Sequence, residues 1–252
     1  MIKIAIPSYR RSNELLNKTL NTLHEGGISK NQIFIFLANT HELAVYSEKI
    51  PQGLYHQMII GEKGIAKQRN FIRHYFKPGD RVVSIDDDIK EVCMLVGDKL
   101  ERVNDLNLFF HNAFHNLEKH NLSLWGIYPC ANPFFMKSKK ETTTDLKFII
   151  GCLHGFIVRE GNEVLTNPKA EGKEDYEMSI LHYLRDGGVF RYNNMTVKTK
   201  FNAKGGLGEH RFNMNERAAN YLKDEYPDYF TIFHRKNGMT EVRLRERKST
   251  NN

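Results

Sequence analysis

Three consecutive carboxylates close an apolar run in "RVVSIDDDI" at 81–89, where Val82, Val83 and Ile85 lead into Asp86, Asp87 and Asp88. Adjacent carboxylates repel one another unless a cation or water intervenes, so the cluster is costly without a purpose. Hard carboxylate oxygens suit Mg²⁺ or Mn²⁺, which usually also hold substrate phosphates. The competing reading is an Asp cluster that caps the turn after a strand. On a strand, side chains alternate faces, so Asp86 and Asp88 are expected to point one way and Asp87 the other. A P-loop ATPase also places an acidic residue after an apolar strand, but its GxxxxGK[ST] partner is absent. The segment "GEKGIAKQRN" at 61–70 has glycines and basic residues at a different spacing. A second acidic pair, Glu174 and Asp175 in "KEDYE", opens a helical pattern, where carboxylates suit the helix dipole. An ordinary acidic first turn would look the same.

The elements that must position these groups alternate between strand and helix. "IKIAI" reads as a strand and "NELLNKTLNTLHEG" as a helix stopped by Gly26 and Gly27. "QIFIFL" is a buried strand, "HELAVYSEKI" before Pro51 a short helix, and "YHQMIIG" a third strand. "GIAKQRNFIRHYF" is a helix ended by the turn "KPGD", and "RVVSI" is the fourth strand, ending at the aspartates. This alternation implies an α/β fold, a mostly parallel sheet flanked by helices. Ligands on such sheets bind beyond the carboxyl ends of the strands, where the aspartates fall. Past residue 90, "DLNLFFHNAFHNLEKH" reads as a helix, "LSLWGIYP" as a strand and "NPFFMKSKKETTTD" as a basic loop. "LKFIIGCLHGFIVR" offers one or two strands broken by glycines. "EDYEMSILHYLRDGG" is a helix with Tyr176, Ile180, Leu181 and Leu184 on one apolar face, and "VFRYNNMTVKT" suggests a hairpin around Asn193 and Asn194. No repeat, low-complexity segment or linker divides the chain.

A chain of 252 residues has room for a sizeable core, and 40% hydrophobic with 27% charged residues is ordinary for a globular protein. No apolar stretch approaches the ~20 residues that span a bilayer. "MIKIAIPSYRR" turns polar too soon for a secretory signal and reads as a first core strand. Cys93, Cys130 and Cys152 are widely spaced without a CxxC pair, which argues against a disulfide framework or structural zinc and for a reducing, cytoplasmic setting. The net charge is +7, yet residues 191–252 hold 13 Lys/Arg against 7 Asp/Glu, which leaves only +1 for the rest. "EVRLRERKS" is especially basic. It is either a solvated tail or a patch for the phosphates of a nucleotide or nucleic acid.

The segments "IAIPSYRR", "GIAKQRNFI", "VVSIDDDI" and, much later, "KEDYEMSILHYL" follow an order and spacing that resembles the GT-A glycosyltransferases, over residues 2–90 and more loosely 145–200. In that family the first strand ends in a Pro-Ser/Thr-Tyr/Phe-Asn/Arg segment under the nucleotide. A helix with an Arg-Asn pair follows, then a strand ending in Asp-x-Asp. The resemblance implies a Rossmann-like GT-A core at 1–212 and a basic C-terminal extension, 213–252, packed on it. It implies that Pro7, Ser8, Tyr9 and Arg10 line the base and ribose of a nucleotide-sugar donor. Arg69 would contact the nucleotide and Asn70 would shape that wall. Asp86 and Asp88 match the Asp-x-Asp pair, one near the ribose or metal and one on the Mn²⁺ or Mg²⁺ itself, with Asp87 in the variable middle position. Such a cation neutralises the departing diphosphate. The general base for the acceptor hydroxyl would be Asp175, with Glu174 in reserve; retaining members lack this base. Many members take a further metal ligand from a late histidine. His210 in "GGLGEHR" is best placed for it, because a glycine-rich loop can approach a diphosphate closely; His234 is the runner-up. Lys204 and Arg211 flank the same loop and reach for donor phosphates. Taken alone, Arg69 reads equally as a surface helix charge and Tyr9 as a core aromatic.

Unlike the polysaccharide-making members, the sequence has neither a transmembrane stretch nor a QxxRW motif. A basic GT-A unit suits an anionic polymer, and its general pattern is similar to the glycosyltransferases that modify hydroxymethylated pyrimidines in DNA, of the bacteriophage and base J types. That resemblance implies a UDP-sugar donor, a DNA partner, a host-cell cytoplasm if phage-encoded, and extrusion of the target base from its stack. Phe134 and Phe135 with Lys137, Lys139 and Lys140 are then candidates for DNA contact, although core packing is the expected role of the phenylalanines. Two other readings stay open. One is the same chemistry on a glycan, lipid or protein; the other is a nucleic-acid-binding module or metal-dependent nuclease built on the same aspartates.

Overall fold

The apolar runs of the first half become strands whose two faces are both covered. In β1 (Ile2–Pro7), Ile2, Ile4 and Ile6 enter one core and Ala5 the other. After it, helix α1 (Ser12–Glu14) continues through a π-helical stretch, Leu15–Leu20, into α2 (Asn21–Glu25). In β2 (Ile33–Leu37), Ile33, Ile35 and Leu37 face the first core, Phe34 and Phe36 the second. That is period-two alternation with apolar residues on both sides. Then come α3 (Thr40–Lys49), β3 (Gln57–Ile60), α4 (Ile65–Tyr75) and β4 (Arg81–Ile85). The structure, a computed structural model, describes residues 1–137, 139–161, 164–199 and 211–250.

Past β4 the order is β5 (Glu91–Val96), β6 (Lys99–Arg102), α5 (Leu106–Lys119), β7 (Leu124–Ile127), α6 (Pro133–Met136), β8 (Thr142–Thr143) and β9 (Leu153–Ile157). Then follow α7 (Glu174–Asp186), β10 (Phe190–Tyr192), β11 (Met195–Lys198), α8 (Arg211–Glu225), β12 (Phe230–His234) and β13 (Thr240–Leu244). The main sheet runs β3-β2-β1-β4-β9-β7-β10-β8. Its first four strands are mutually parallel, β9 is antiparallel to both neighbours, β10 is parallel to β7, and β8 is an antiparallel edge. The mostly parallel α/β sheet flanked by helices is as expected. One face packs on Leu15, Leu20, Tyr46, Phe110 and Phe114, the other on Ile72, Phe76, Ile180, Ala219 and Leu222. Phe230 and Val242 of the β12–β13 hairpin join that second core.

Several expectations are corrected. β10 and β11 form no hairpin around Asn193 and Asn194: β10 joins the main sheet while β11 pairs with β5, in a small sheet ordered β11-β5-β6. The segment read as a basic loop holds α6 and the edge strand β8. Phe134 and Phe135 are 69% and 50% exposed, so they are not core residues. On α7 the buried face is rotated from the apolar one expected. It carries Met178, Ile180 and Tyr183 but also Glu177, Ser179 and His182, and Leu184 lies outside. Glu177 is tolerated there because it accepts from the hydroxyls of Tyr221 and Tyr226 and from Asn167 N. Among the described residues no helix is long and apolar enough to cross a membrane.

Candidate functional site

β4 ends at Ile85, so the three aspartates lie in the turn beyond it, and strand alternation does not govern them. Thr19, in the π-helical stretch, donates from Oγ1 to Asp86 O (2.7 Å) and accepts from Ile89 N (3.0 Å). Thr22 adds a bond to Lys90 O (2.7 Å). Two threonines three positions apart on one helix thus hold the backbone of the turn. Arg11 Nη1 bridges Asp87 Oδ1 (3.0 Å) and Asp88 Oδ2 (3.2 Å). Ser8 Oγ donates to Asp87 Oδ2 (2.6 Å), and Thr199 Oγ1 donates to Asp88 Oδ1 (2.8 Å). The strand-alternation expectation, with Asp86 and Asp88 on one side and Asp87 on the other, is therefore corrected. Asp87 and Asp88 share Arg11, while Asp86 turns to Arg69 Nη2 (3.2 Å). Asp86 keeps 32% of its side chain exposed, against 6% for Asp87 and 10% for Asp88.

Arg69, on α4, is buried and is no surface charge. Its Nη1 pairs with Glu174 Oε1 (2.5 Å), and Nη2 also donates to Gly151 O (2.9 Å). A Cβ on Gly151 would stand 2.2 Å from Nη1, so only glycine lets the guanidinium sit there. Gly151 N in turn donates to Asp175 Oδ2 (3.2 Å), whose Oδ1 accepts from Tyr176 N (3.0 Å). The turn after β4 and the start of α7 thus meet through one arginine and one glycine. Glu174 is buried, with Oε2 accepting from Gly172 N (3.0 Å), whereas Asp175 is only half-buried.

The remaining expected residues fall variously. Pro7 is the buried end of β1, and Ser8 is buried between Asp87 and Tyr46 Oη (2.7 Å). Tyr9 is half-buried, with Arg10 and Lys63 over its ring at 5.0 and 5.9 Å. Arg10 is exposed and held at φ 57°, a left-handed conformation that costs a non-glycine residue about 1–2 kcal/mol. Asn70 forms a two-way amide pair with the backbone of Thr166 (2.7 and 3.0 Å). The N-terminus of α4 is already taken by Glu171, which accepts from Ile65 N (2.7 Å) and Ala66 N (3.0 Å). Lys204 and His210 lie outside the described residues, as does the side chain of Arg211, which opens α8. His234 is exposed at the end of β12, with Thr240 as its neighbour. Sequence reasoning missed Arg11, Thr19, Gly151, Glu171 and Thr199. Only Arg11 carried a signal, as the second arginine of "SYRR".

Five carboxylates (Asp86, Asp87, Asp88, Glu174 and Asp175) are gathered around two guanidinium groups, those of Arg11 and Arg69. Desolvation pushes Asp86 up to about 6 against the pull of Arg69, with Asp88 and Glu174 adding repulsion. Desolvation likewise pushes Asp87 up to about 7, against Ser8 and Arg11. Burial, then Glu174, pushes Asp175 up to about 7. This crowding of carboxylates, with Asp86 about one-third exposed, fits a hard divalent cation. Among the described residues no group of three His, Cys, Asp or Glu side chains could hold one alone. Two carboxylates with ligand oxygens completing the shell remain in keeping with Mg²⁺ or Mn²⁺ chemistry. Both buried Nε–H groups, of Arg11 and Arg69, lack an acceptor among the described protein atoms.

No protein-family model matches the chain, and no curated protein sequence does. Solved structures do match. S. aureus TarS 1-349 in complex with UDP is similar at TM-score 0.53 and 12% identity, over 90% of this chain and 72% of that one. GalNAc-T7 with UDP, GalNAc and Mn²⁺ gives TM-score 0.57 and 14% identity, over 91% of this chain but 49% of that one. Glucosyl-3-phosphoglycerate synthase from Mycobacterium tuberculosis, bound to Mn²⁺, UDP and glucosyl-3-phosphoglycerate, gives TM-score 0.53 and 12% identity, over 99% and 90%. At these identities the likeness is one of fold, and the fold is the GT-A architecture.

Proposed function

We propose that the protein is a metal-dependent glycosyltransferase that moves a sugar from a nucleotide-sugar donor, UDP-linked by its resemblance, to an acceptor hydroxyl. The observation that carries this reading is the Arg69 bridge, which joins the aspartate turn to the carboxylates opening α7 at the carboxyl edge of the sheet. A shared fold with structures that hold UDP and Mn²⁺ supports it. Asp86 and Asp88 would hold Mn²⁺ or Mg²⁺, an ion that supplies neutralising charge to the departing diphosphate when bound. Asp175 takes the acceptor proton; its oxygens keep lone pairs beyond the two backbone N–H groups they accept. The acceptor oxygen bonds to the anomeric carbon, the bond to the diphosphate oxygen breaks, and its electron pair leaves with the nucleoside diphosphate. A base acting on the acceptor goes with inversion at that carbon. Arg69 has both terminal nitrogens engaged and serves to fix the carboxylates relative to one another. Pro7, at the end of β1, and Ser8, Tyr9 and Arg10 after it lie beside the turn and are the proposed wall for base and ribose. Lys204, His210 and Arg211 are proposed contacts to the diphosphate and metal.

The acceptor proposed is a hydroxymethylated pyrimidine in DNA. Its support is the charge excess of residues 191–252 and the exposed Phe134–Phe135 pair beside Lys137, Lys139 and Lys140, which follow β7 on the same edge of the sheet. The test is release of nucleoside diphosphate from UDP-glucose and other nucleotide sugars with Mn²⁺, with and without DNA containing hydroxymethylcytosine or hydroxymethyluracil. Metal-dependent release should rise with the modified DNA. It should fall by at least about a hundredfold in Asp175→Asn and vanish in Asp88→Ala. Release indifferent to DNA moves the acceptor to a glycan, lipid or protein. No release from any donor, with no nucleotide diphosphate bound, sinks the reading.

A further inference from the structure

The carboxyl-terminal hairpin carries a row of cations that the chemistry above does not use. β12 and β13 pair in register from Phe230 opposite Leu244 to His234 opposite Thr240. Phe230 and Val242, with Ile232 and Leu244, face the second core. The opposite face therefore carries Thr231, Phe233 and Arg243, together with the buried Glu241 across from Phe233. Arg245 N donates to Tyr229 O (2.7 Å), which extends the ladder, and Arg247 forms a bridge with Leu146. Arg243, Arg245 and Arg247 thus occupy alternate positions of one extended segment, and all three are exposed. Their repeat is roughly 6.7 Å. That is comparable to the phosphate-to-phosphate step of an extended polynucleotide.

Two of these arginines, Arg243 and Arg247, are partly ordered by aromatic rings. Arg243 lies 5.4 Å from the Phe233 ring centroid and Arg247 5.8 Å from that of Tyr229. Such stacking lowers the entropy lost when the side chains bind. The nearby acids are engaged elsewhere. Glu241 takes Lys173 (2.7 Å) and Arg235 (3.1 Å), and Glu246 takes Lys147. Among the described residues none of the three arginines is ion-paired with a carboxylate; Arg247 donates only to the carbonyl of Asp228 (3.1 Å). Phe233 is 38% exposed beside them. Through Glu241 the strand is tied to Lys173, the residue before Glu174.

We infer that Phe233, Arg243, Arg245 and Arg247 form a docking strip for an unpaired DNA strand. The arginines pair its phosphates, and its bases stack on Phe233 and on guanidinium planes. The inference rests on the DNA-acceptor reading and not on the transfer chemistry. The test measures anisotropy of a labelled DNA strand, and of its duplex, with the full chain over a salt series, without donor or metal. Wild type should favour the unpaired strand. Each phosphate contact adds ~0.7 to the log–log salt slope of a single strand. Arg243→Gln/Arg245→Gln/Arg247→Gln should therefore flatten the slope by about 2 and weaken low-salt binding at least tenfold. Phe233→Ala should weaken binding several-fold at an unchanged slope. Mn²⁺-dependent nucleotide release without DNA should match wild type, because these residues lie outside the carboxylate site, and a cooperative thermal transition checks that each variant is folded. DNA binding unchanged in the triple variant overturns the strip and leaves the DNA acceptor standing. A preference for duplex overturns the unpaired-strand assignment. No DNA binding by wild type overturns both strip and acceptor, while nucleotide release decides the enzyme separately.

Discussion

Asp175 accepts two backbone N–H groups and still has its carboxyl pushed up to about 7, because burial and Glu174 outweigh Arg69. Its folded pKa lies above that of the unfolded chain, so the folded protein keeps this proton from about pH 4 to about pH 7. A reaction that needs ionised Asp175 therefore gains rate with pH and levels off above about 7. The measurement is kcat/KM from about pH 5 to pH 9; Asp175→Asn should lose both the rate and the inflection. A flat wild-type profile would remove Asp175 from the role of base. Asp86 and Asp87 shift in the same direction, so Mn²⁺ bound as proposed would displace protons from this cluster. Its affinity should tighten as pH rises toward 7, with proton release read by calorimetry in two buffers. His182 runs the other way: desolvation takes it down to about 4, so it stays neutral throughout this range.

At the scale of elements, the turn depends on a helix that departs from regular geometry. Thr19 lies in the π-helical stretch and bonds both Asp86 O and Ile89 N, a local irregularity of the kind that marks functional sites. Thr19→Val keeps the volume but orphans both backbone groups, and should cost about 1–3 kcal/mol. Melting temperature and Mn²⁺ affinity should fall together; an unchanged affinity would mean that Arg11 and Ser8 hold the turn without help. The strands β1, β2 and β4 were legible because burial on both faces leaves continuous apolar runs. β10 and β11 were legible as strands but their pairing was not, since their partners are remote: Phe190 pairs with Trp125, and Met195 with Met94. The aspartates and the Glu174–Asp175 pair stood out by composition. Thr199, 111 positions from Asp88, and Gly151, whose role lies only in what it does not carry, had no local signal.

Over the whole molecule, the reversed strand β9 divides the sheet into two parallel blocks, β3-β2-β1-β4 and β7-β10. Because it runs backwards, its beginning lies where the flanking strands end, and this brings Gly151 and Cys152 to the site. Cys152 O accepts from Asp86 N (2.9 Å), beside the bonds of Gly151 to Arg69 and Asp175. The Arg69–Glu174 contact closes a loop of 105 positions, among the long-range contacts that form slowly. Refolding from denaturant should bury Trp125, the single tryptophan, no later than Mn²⁺ binding appears; the reverse order would contradict this assembly. Biosynthesis inherits the same order. A nascent chain displays every aspartate of the turn well before it delivers Gly151 and Glu174, so the proposed metal and nucleotide site is complete only once both segments are made.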